Sequence, residues 1–425
     1  MMTRNRSRRL IAATAVTVGT ALVATGCSSS EMAGEDPKEI TAIFLSSNAY
    51  DPCSEEYAEK FQEETGIKVN LVHEGYPTYH DKLLTTFSGG GATYDVAMIV
   101  YQWVGEFAGA GFLENLDDRL AIDSDELGDI IPSANELYTQ DGSQYAIPFT
   151  AQAETLFYRT DLLEQAGFEP PKTWDDYQEI AEFFTNNPDY PGISGTTVKA
   201  ASQHTQTGFE NRYFGLGGEP LGAPGSKLDI DLATEALQLL KDDATEYSPA
   251  GALSATFVEQ GAQLQAGTVV MAEMMPSTVL PAITSDDPAN KVKDKIGLTD
   301  IPGGHGEAGG WGLAIPVSSQ KKDVAYDFAK YMVSADADLS CYADYGKSAV
   351  RTGTYQDASI ASTFYAAGVL SALEGSYGAP KDVTAPKIGT MQADIITRFL
   401  AGQIGTADEA AREMAEQYDQ IVNAG

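Results

Sequence analysis

The stretch GHGEAG, Gly304 to Gly309, has the GxGxxG spacing that lets backbone amides cradle a pyrophosphate. That chemistry needs the glycines to open a helix. Here they lead straight into WGLAIPV, an apolar run that reads as a strand, so the context rejects a dinucleotide site. The four histidines, His73, His80, His204 and His305, show neither HExxH nor a paired Cys/His spacing, and no metal site is predicted. GxSxG and SxxK are also missing. The carboxylates are numerous but scattered. Two of them could meet in space as a glycosidase pair, yet no spacing singles one out. No cofactor is implied.

Aromatic and amide side chains at strand ends are the remaining candidates. In open α/β sheets ligands sit beyond the carboxyl ends of the strands. Ser46, Ser47, Asn48 and Tyr50 follow the first predicted strand, and Tyr101, Gln102 and Trp103 follow YDVAMIV. Gln152 and Glu154 lie two apart on one face of an extended segment, and Trp311 opens the strand after the glycines. Such a mixture suits a sugar, whose hydroxyls need amide and carboxylate partners and whose C–H faces stack on rings. A buried hydroxyl without a partner costs about 1–3 kcal/mol, so the polar groups must come in matched sets.

The elements that would position these residues alternate between strand and helix. EITAIFL reads as a strand and Ser54–Glu64 as a helix. GIKVNLV has the two-residue period of a half-buried strand. YDVAMIV is apolar on both faces, as for a parallel strand covered on both sides. Alternation of this kind predicts right-handed crossovers in a doubly wound α/β sheet. Gln144 to Tyr158 is a long extended segment containing Pro148, and Thr173 with Asp176 forms a capping box for the helix after it. Further strands are predicted at GISGTTVKA, TVVMAEM, KIGLTDIP and WGLAIPV, and the C-terminal part reads as helical.

The first 26 residues read as an export signal: Arg4, Arg6, Arg8 and Arg9 precede the uncharged run Leu10–Val23, which is too short for an ordinary span. LVATGC resembles a bacterial lipobox, with Cys27 as the acylated residue, and residues 27–37 read as a short tether. Loss of the four leader arginines takes the formal charge from −34 to −38. That excludes a nucleic-acid surface and fits a well-hydrated monomer held to the membrane only by its lipid. A chain with 43% hydrophobic residues and this length holds two or more core-bearing units. Cys53 and Cys341 remain, as either a disulfide or two buried thiols.

Five segments, in order, carry a resemblance over nearly the whole mature chain: FQEETGIKVNLV, GGGATYDVAMIVYQWVGEFAGAGFLENLDD, YAIPFTAQAETLFYRTDLLEQAGFEPPKTWDDY, GTVVMAEMMPS and GGWGLAIPVSSQKKDVAYDFAKYMVS. The chain resembles the family 1 extracellular solute-binding proteins of bacterial ABC importers, related to the maltose-binding type. The resemblance implies two doubly wound α/β lobes joined by a hinge of crossing strands, the type II periplasmic-binding-protein-like fold. Lobe 1 is expected at 38–148 and 303–350, and lobe 2 at 149–302 and 351–425. The crossings are expected near Ala146–Phe149, Thr299–Pro302 and Val350–Arg351.

By the same resemblance a carbohydrate or polyol closes the lobes, and the loaded protein docks on the permease at the outer face of the membrane. Gln102 stands where many relatives have an acidic sugar ligand, with Trp103 beside it, and Gln152 and Glu154 stand where the hinge strand supplies a carboxylate. Glu273 to Ser277 matches a loop that often carries a stacking tryptophan after a proline. Ser277 follows Pro276 here, which shifts the stacking role to Trp311 or Tyr101. Arg351, His204 and Asn211 complete the expected ligand set, and Trp174 is expected in the core. Other readings are a non-sugar solute (a glycerol phosphodiester, peptide or polyamine) on the same fold, and a secreted glycoside hydrolase.

Overall fold

A computed structural model describes residues 38–423 except 202–203, 223–224 and 379–383. The export signal, the lipidation site at Cys27 and the tether lie outside the described residues. The predicted strands at the N-terminal end form as expected. β1 (Glu39–Leu45) buries Ile40, Ala42, Ile43 and Phe44. β2 (Lys68–Glu74) and β3 (Val96–Val100) flank it in parallel, and every residue of β3 is buried. The helix Tyr50–Thr65 between β1 and β2 stops at Gly66, whose φ of +75° is the left-handed geometry that glycine adopts at least cost.

Two short strands, β4 (Thr139–Gln140) and β5 (Ser143–Gln144), make a hairpin before the long extended segment. That segment is two strands. β6 (Ala146–Ala153) pairs antiparallel with β10 (Glu307–Ala314), whereas β7 (Thr155–Arg159) is the centre of a second sheet between β8 (Met271–Met274) and β9 (Ile296–Asp300). β10 also pairs with β3 and, through its first two residues, with β11 (Tyr377–Gly378). The large sheet therefore runs β11-β10-β3-β1-β2 with β6 on the other side of β10, and the small one runs β8-β7-β9.

The core of the large sheet is continuous with one face of the small sheet, through Phe157, Ala272, Met274 and Leu298. The large sheet is packed by helices that include Tyr50–Thr65 and Lys322–Tyr331. Leu156 and Met271 of the small sheet pack with Trp174, Tyr177 and Phe184, and a further helical core is built from Phe209, Leu237, Ile395 and Met414. The capping box at Thr173 forms in both directions, and the core position expected for Trp174 is found, 3% exposed. Cys53 and Cys341 are joined, tying helices 288 residues apart with a Cα–Cα distance of 5.4 Å. In the chain-entropy picture closing so long a loop stabilises the fold by roughly 6 kcal/mol.

Four local expectations differ. The strand expected at GISGTTVKA forms only a single bridge, Ser194 to Val269. Gly309 and Gly310 belong to β10 rather than to a preceding loop, because at Gly310 a Cβ would stand 2.2 Å from the Thr150 carbonyl oxygen of the paired strand. The chain changes sheets between Ala153 and Thr155, not at Ala146–Phe149, since β6 stays hydrogen-bonded to β10 through Ala153. Pro148 is accommodated there by a register shift opposite Trp311 and Gly312. Nor does the chain cross at Val350–Arg351: Arg351 bridges to Ile130, and β11 later rejoins the large sheet. On this sheet membership we propose lobes of 38–153 with 307–378, and 154–306 with 384–423.

Candidate functional site

One face of β10 organises the site. Residues 307, 309 and 311 alternate onto that face, and the register sets Gln152 of β6 opposite Gly309. The Glu154 amide donates to the Glu307 carbonyl, so two glutamates from distant sequence lie side by side where the chain leaves the large sheet. Gly309 is the gap between Glu307 and Trp311. A Cβ there would lie 3.5 Å from both the Tyr101 ring and the Met275 methyl. The sequence candidates Tyr101, Gln152, Glu154 and Trp311 are thus brought together.

Trp311 belongs to an aromatic ledge at the ends of β1 and β3. Its ring stands perpendicular to Trp103 at 5.7 Å, and Trp103 lies 5.9 Å from Tyr79 and near-parallel to Tyr76 at 6.4 Å. Tyr79 is buried, and its hydroxyl donates to the Met98 carbonyl at 2.6 Å with the Ile43 carbonyl 3.1 Å away, which holds the ledge to both strands. Tyr76 is 61% exposed. Trp103 and Gln102, in the turn after β3, are partly buried. Tyr50 packs its ring on Phe149, and burial pushes its phenol up. Asn48 is exposed in the turn after β1.

Beside the ledge three carboxylates are buried. Glu154 Oε1 accepts from Lys199 Nζ at 2.5 Å, and Glu154 Oε2 has no hydrogen-bond partner. Glu307 Oε1 accepts from the Tyr101 hydroxyl at 3.3 Å, while its Oε2 has none. Glu210 Oε1 accepts from Gln206 at 3.0 Å, and again Oε2 has none. Gln392, on helix Ala385–Leu400, is fully buried beside Glu210, and neither atom of its amide makes a hydrogen bond of normal geometry. Burial pushes all three carboxyls above the ordinary glutamate range. Glu307 raises Glu210 and Glu154 further; the rise is opposed by Lys199 at Glu154, by the Thr207 hydroxyl and then Lys199 at Glu307, and by the Gln206 and Gln392 amides at Glu210. The Tyr101 phenol is raised by burial and by the charges of Glu307 and Glu210.

Other candidates are used elsewhere. Asn211 and Glu273 belong to a buried ion cluster: Asn211 Nδ2 and both terminal nitrogens of Arg212 donate to Glu273, at 2.7–3.2 Å. Asn211 Oδ1 also accepts from the Glu307 amide at 3.0 Å, so it braces the site from behind. Arg351 does not reach the cleft: its guanidinium donates to the Val333 and Glu126 carbonyls and pairs with Asp129 in the first lobe. The Arg351 amide donates to Asp338 at 3.1 Å, which fixes its backbone there. His204 lies at the start of helix Thr205–Gly215, half-buried against Phe257, and burial and Lys199 push its pKa down. Ser277 opens helix Pro276–Thr284 and donates to Gln152 Oε1, a contact between the two sheets' elements. A cleft of about 210 Å³ beside that contact is lined by Gln152, Ser277, Tyr342, Tyr355 and Tyr365.

Sequence reasoning missed Lys199, Gln206, Glu210, Glu307 and Gln392. Two carried a readable signal: Glu307 is the one charge in EAGGWGLA, and Glu210 sits in FENRYF, a run buried on every side. Among the described residues no cluster of three His, Cys, Asp or Glu is arranged to hold a metal ion, and no helix is long and apolar enough to cross a membrane.

Two α/β lobes that bury a polar patch beside an aromatic ledge define a protein that takes up a solute between its lobes. The chain belongs to the bacterial extracellular solute-binding protein family, whose model matches residues 54–338. It is a binding protein, not an enzyme. It is 26% identical over 380 residues to the mannitol-binding protein of Pseudomonas aeruginosa, covering 81% of this chain and 84% of that one. Its fold is similar to that of an ABC transporter solute-binding protein from Thermotoga lettingae bound with alpha-D-tagatose, with a TM-score of 0.74, 25% identity, and 91% and 100% of the two chains covered. The maltose-bound MalE3 of T. maritima has the same fold, with a TM-score of 0.74, 24% identity, and 90% and 99% covered.

Proposed function

We propose that this protein is the substrate-binding component of an ABC importer and captures a sugar or polyol between its lobes. The observation that carries this is the pairing on one sheet face of Trp311 with Glu307 and Glu154, each carboxylate with one buried oxygen unpartnered. A pyranose or extended polyol has the matching duality, C–H faces for the ring and hydroxyl donors for the carboxylates. Relatives that bind mannitol and tagatose support the ligand class. Contacts from both lobes to one ligand stabilise the closed form, and the permease then receives the loaded state.

The finer reading keeps the export signal over 1–26 and acylation at Cys27, so that the monomer works at the outer face of the membrane it is anchored to. Calorimetric titration of the protein lacking its leader with a panel of sugars and polyols is the test. Saturable binding without turnover supports the proposal, and no binding at millimolar concentration overturns it. Release of Cys27→Ala from the membrane fraction checks the anchor; retention there would remove it.

A further inference from the structure

The donor and acceptor balance of the buried patch restricts the ligand further. Glu154, Glu210 and Glu307 are 1%, 2% and 8% exposed, and each keeps one oxygen without a partner. Among the described residues a single cation, Lys199, is paired within the patch, and it is already committed to Glu154 at 2.5 Å. The other charged groups nearby do not supply the deficit. Arg212 is fully engaged by Asp243, Glu273 and the Gly208 carbonyl. His204 is held towards its neutral form, and the Tyr101 hydroxyl donates to Glu307. Three carboxylates thus face one ammonium. The fully buried Gln392 amide, whose atoms make no hydrogen bond of normal geometry, stands against Glu210 and lowers its pKa as a neutral member of the same patch.

A hydroxyl donates one hydrogen bond and accepts two, whereas an ammonium donates three and accepts none. A patch whose charged groups, among the described residues, are three carboxylates and one ammonium has two uncompensated charges when ionised, and it is matched by the second kind of group. Burying an unpaired charge is costly, and a counter-charge on the ligand removes that cost at the moment of binding. The strongly acidic chain also concentrates cations at its surface. We propose that the solute is an amine-bearing sugar or polyol, with its ammonium group docked among Glu154, Glu210 and Glu307 and its carbon skeleton lying towards Trp311. This rests on the sugar-binding reading above and narrows it.

Ligand protonation and site ionisation are then linked. With a neutral ligand the raised carboxyls can keep their protons, whereas an ammonium draws them off, so binding of an amine releases protons to the buffer.

The test uses matched pairs differing by one amine: glucosamine and glucose, galactosamine and galactose, glucamine and sorbitol, and the chitosan disaccharide and cellobiose. Affinities are measured by calorimetry at pH 7 in two buffers of different ionisation enthalpy. The expected result is at least tenfold tighter binding of the amine member of the preferred pair, with proton release that its neutral partner lacks. In Glu210→Gln the ratio falls towards one, and Glu307→Gln gives the same readout if the first variant folds poorly. Equal or tighter binding of the neutral member overturns this inference and leaves the sugar-binding reading standing. If neither member of any pair binds, this inference falls, and the wider sugar and polyol panel decides the sugar-binding reading. Tighter binding of putrescine or spermidine than of any sugar overturns the carbohydrate reading and the ligand class proposed here.

Discussion

Two buried charge clusters lie within a few residues of each other on helix Thr205–Gly215, and they are built on opposite rules. In the first, Arg212 spends every guanidinium nitrogen on Asp243, Glu273 or the Gly208 carbonyl. Gln178 and Asn211 donate to the same carboxylates, and Trp174 lies 4.6 Å beneath the guanidinium. Lys347 and Asp338 follow this rule too. The ammonium donates to Asp338 and the Phe149 carbonyl, and the carboxylate accepts from Val350, Arg351 and Thr354. In the second cluster Glu154, Glu210 and Glu307 each keep an oxygen free of hydrogen bonds. A closed network fixes a fold, since adding or removing any member leaves a buried charge exposed to its own desolvation. An open one is suited to a ligand that supplies the missing donors.

The largest expected effect breaks the closed network. Arg212→Met leaves Asp243 and Glu273 buried without their cation, and unfolding by urea should show a loss of about 3–5 kcal/mol. Asp338→Ala should cost a similar amount by stranding Lys347. A loss under about 1 kcal/mol in either variant would mean that these clusters are no more structural than the open one.

The open cluster should respond in the opposite sense. Its carboxyls are raised in the folded state, so their contribution to stability is complete below the ordinary glutamate pKa of about 4.3 and is lost as pH rises through the folded values. Glu210→Gln and Glu307→Gln should therefore match the unsubstituted protein near pH 4 and exceed it at pH 8, by on the order of 1–2 kcal/mol. Melting curves of the ligand-free proteins across that range measure the difference. Variants that lose stability at pH 8 would show the carboxylates to be satisfied after all.

The smallest effect is at the boundary between patch and ledge. Trp311→Ala should weaken the bound sugar by about 1 kcal/mol or more through loss of the stacking face. Unchanged affinity in a folded variant would take Trp311 out of the site and leave it to the ring packing with Trp103.

Local patterns accounted for much of this. The two-residue period and apolar runs marked β1, β2 and β3, and the spacing of Thr173 and Asp176 marked a helix start that forms as read. Placing candidates at strand ends picked out Tyr101, Gln152, Glu154 and Trp311, because which residues share a strand face is a property of neighbours in sequence. Arg351 misled for the complementary reason. A cation near an expected crossing looked free to reach the cleft, but its partners Glu126, Asp129 and Val333 come from other parts of the chain.

The sequence by itself determined the family, the alternation of strand and helix, the acidic surface and, of the polar patch, Glu154 and Tyr101. Tertiary structure alone decided that Glu154 lies against Glu307, that Lys199 hydrogen-bonds to Glu154 among the three carboxylates, and that helix Ala385–Leu400 brings Gln392 to Glu210. It also decided that Cys53 finds Cys341. Such pairings depend on sheet register and helix docking between segments up to hundreds of residues apart. A side chain's ionisation depends on whether water or a partner is left beside it, which no local pattern encodes.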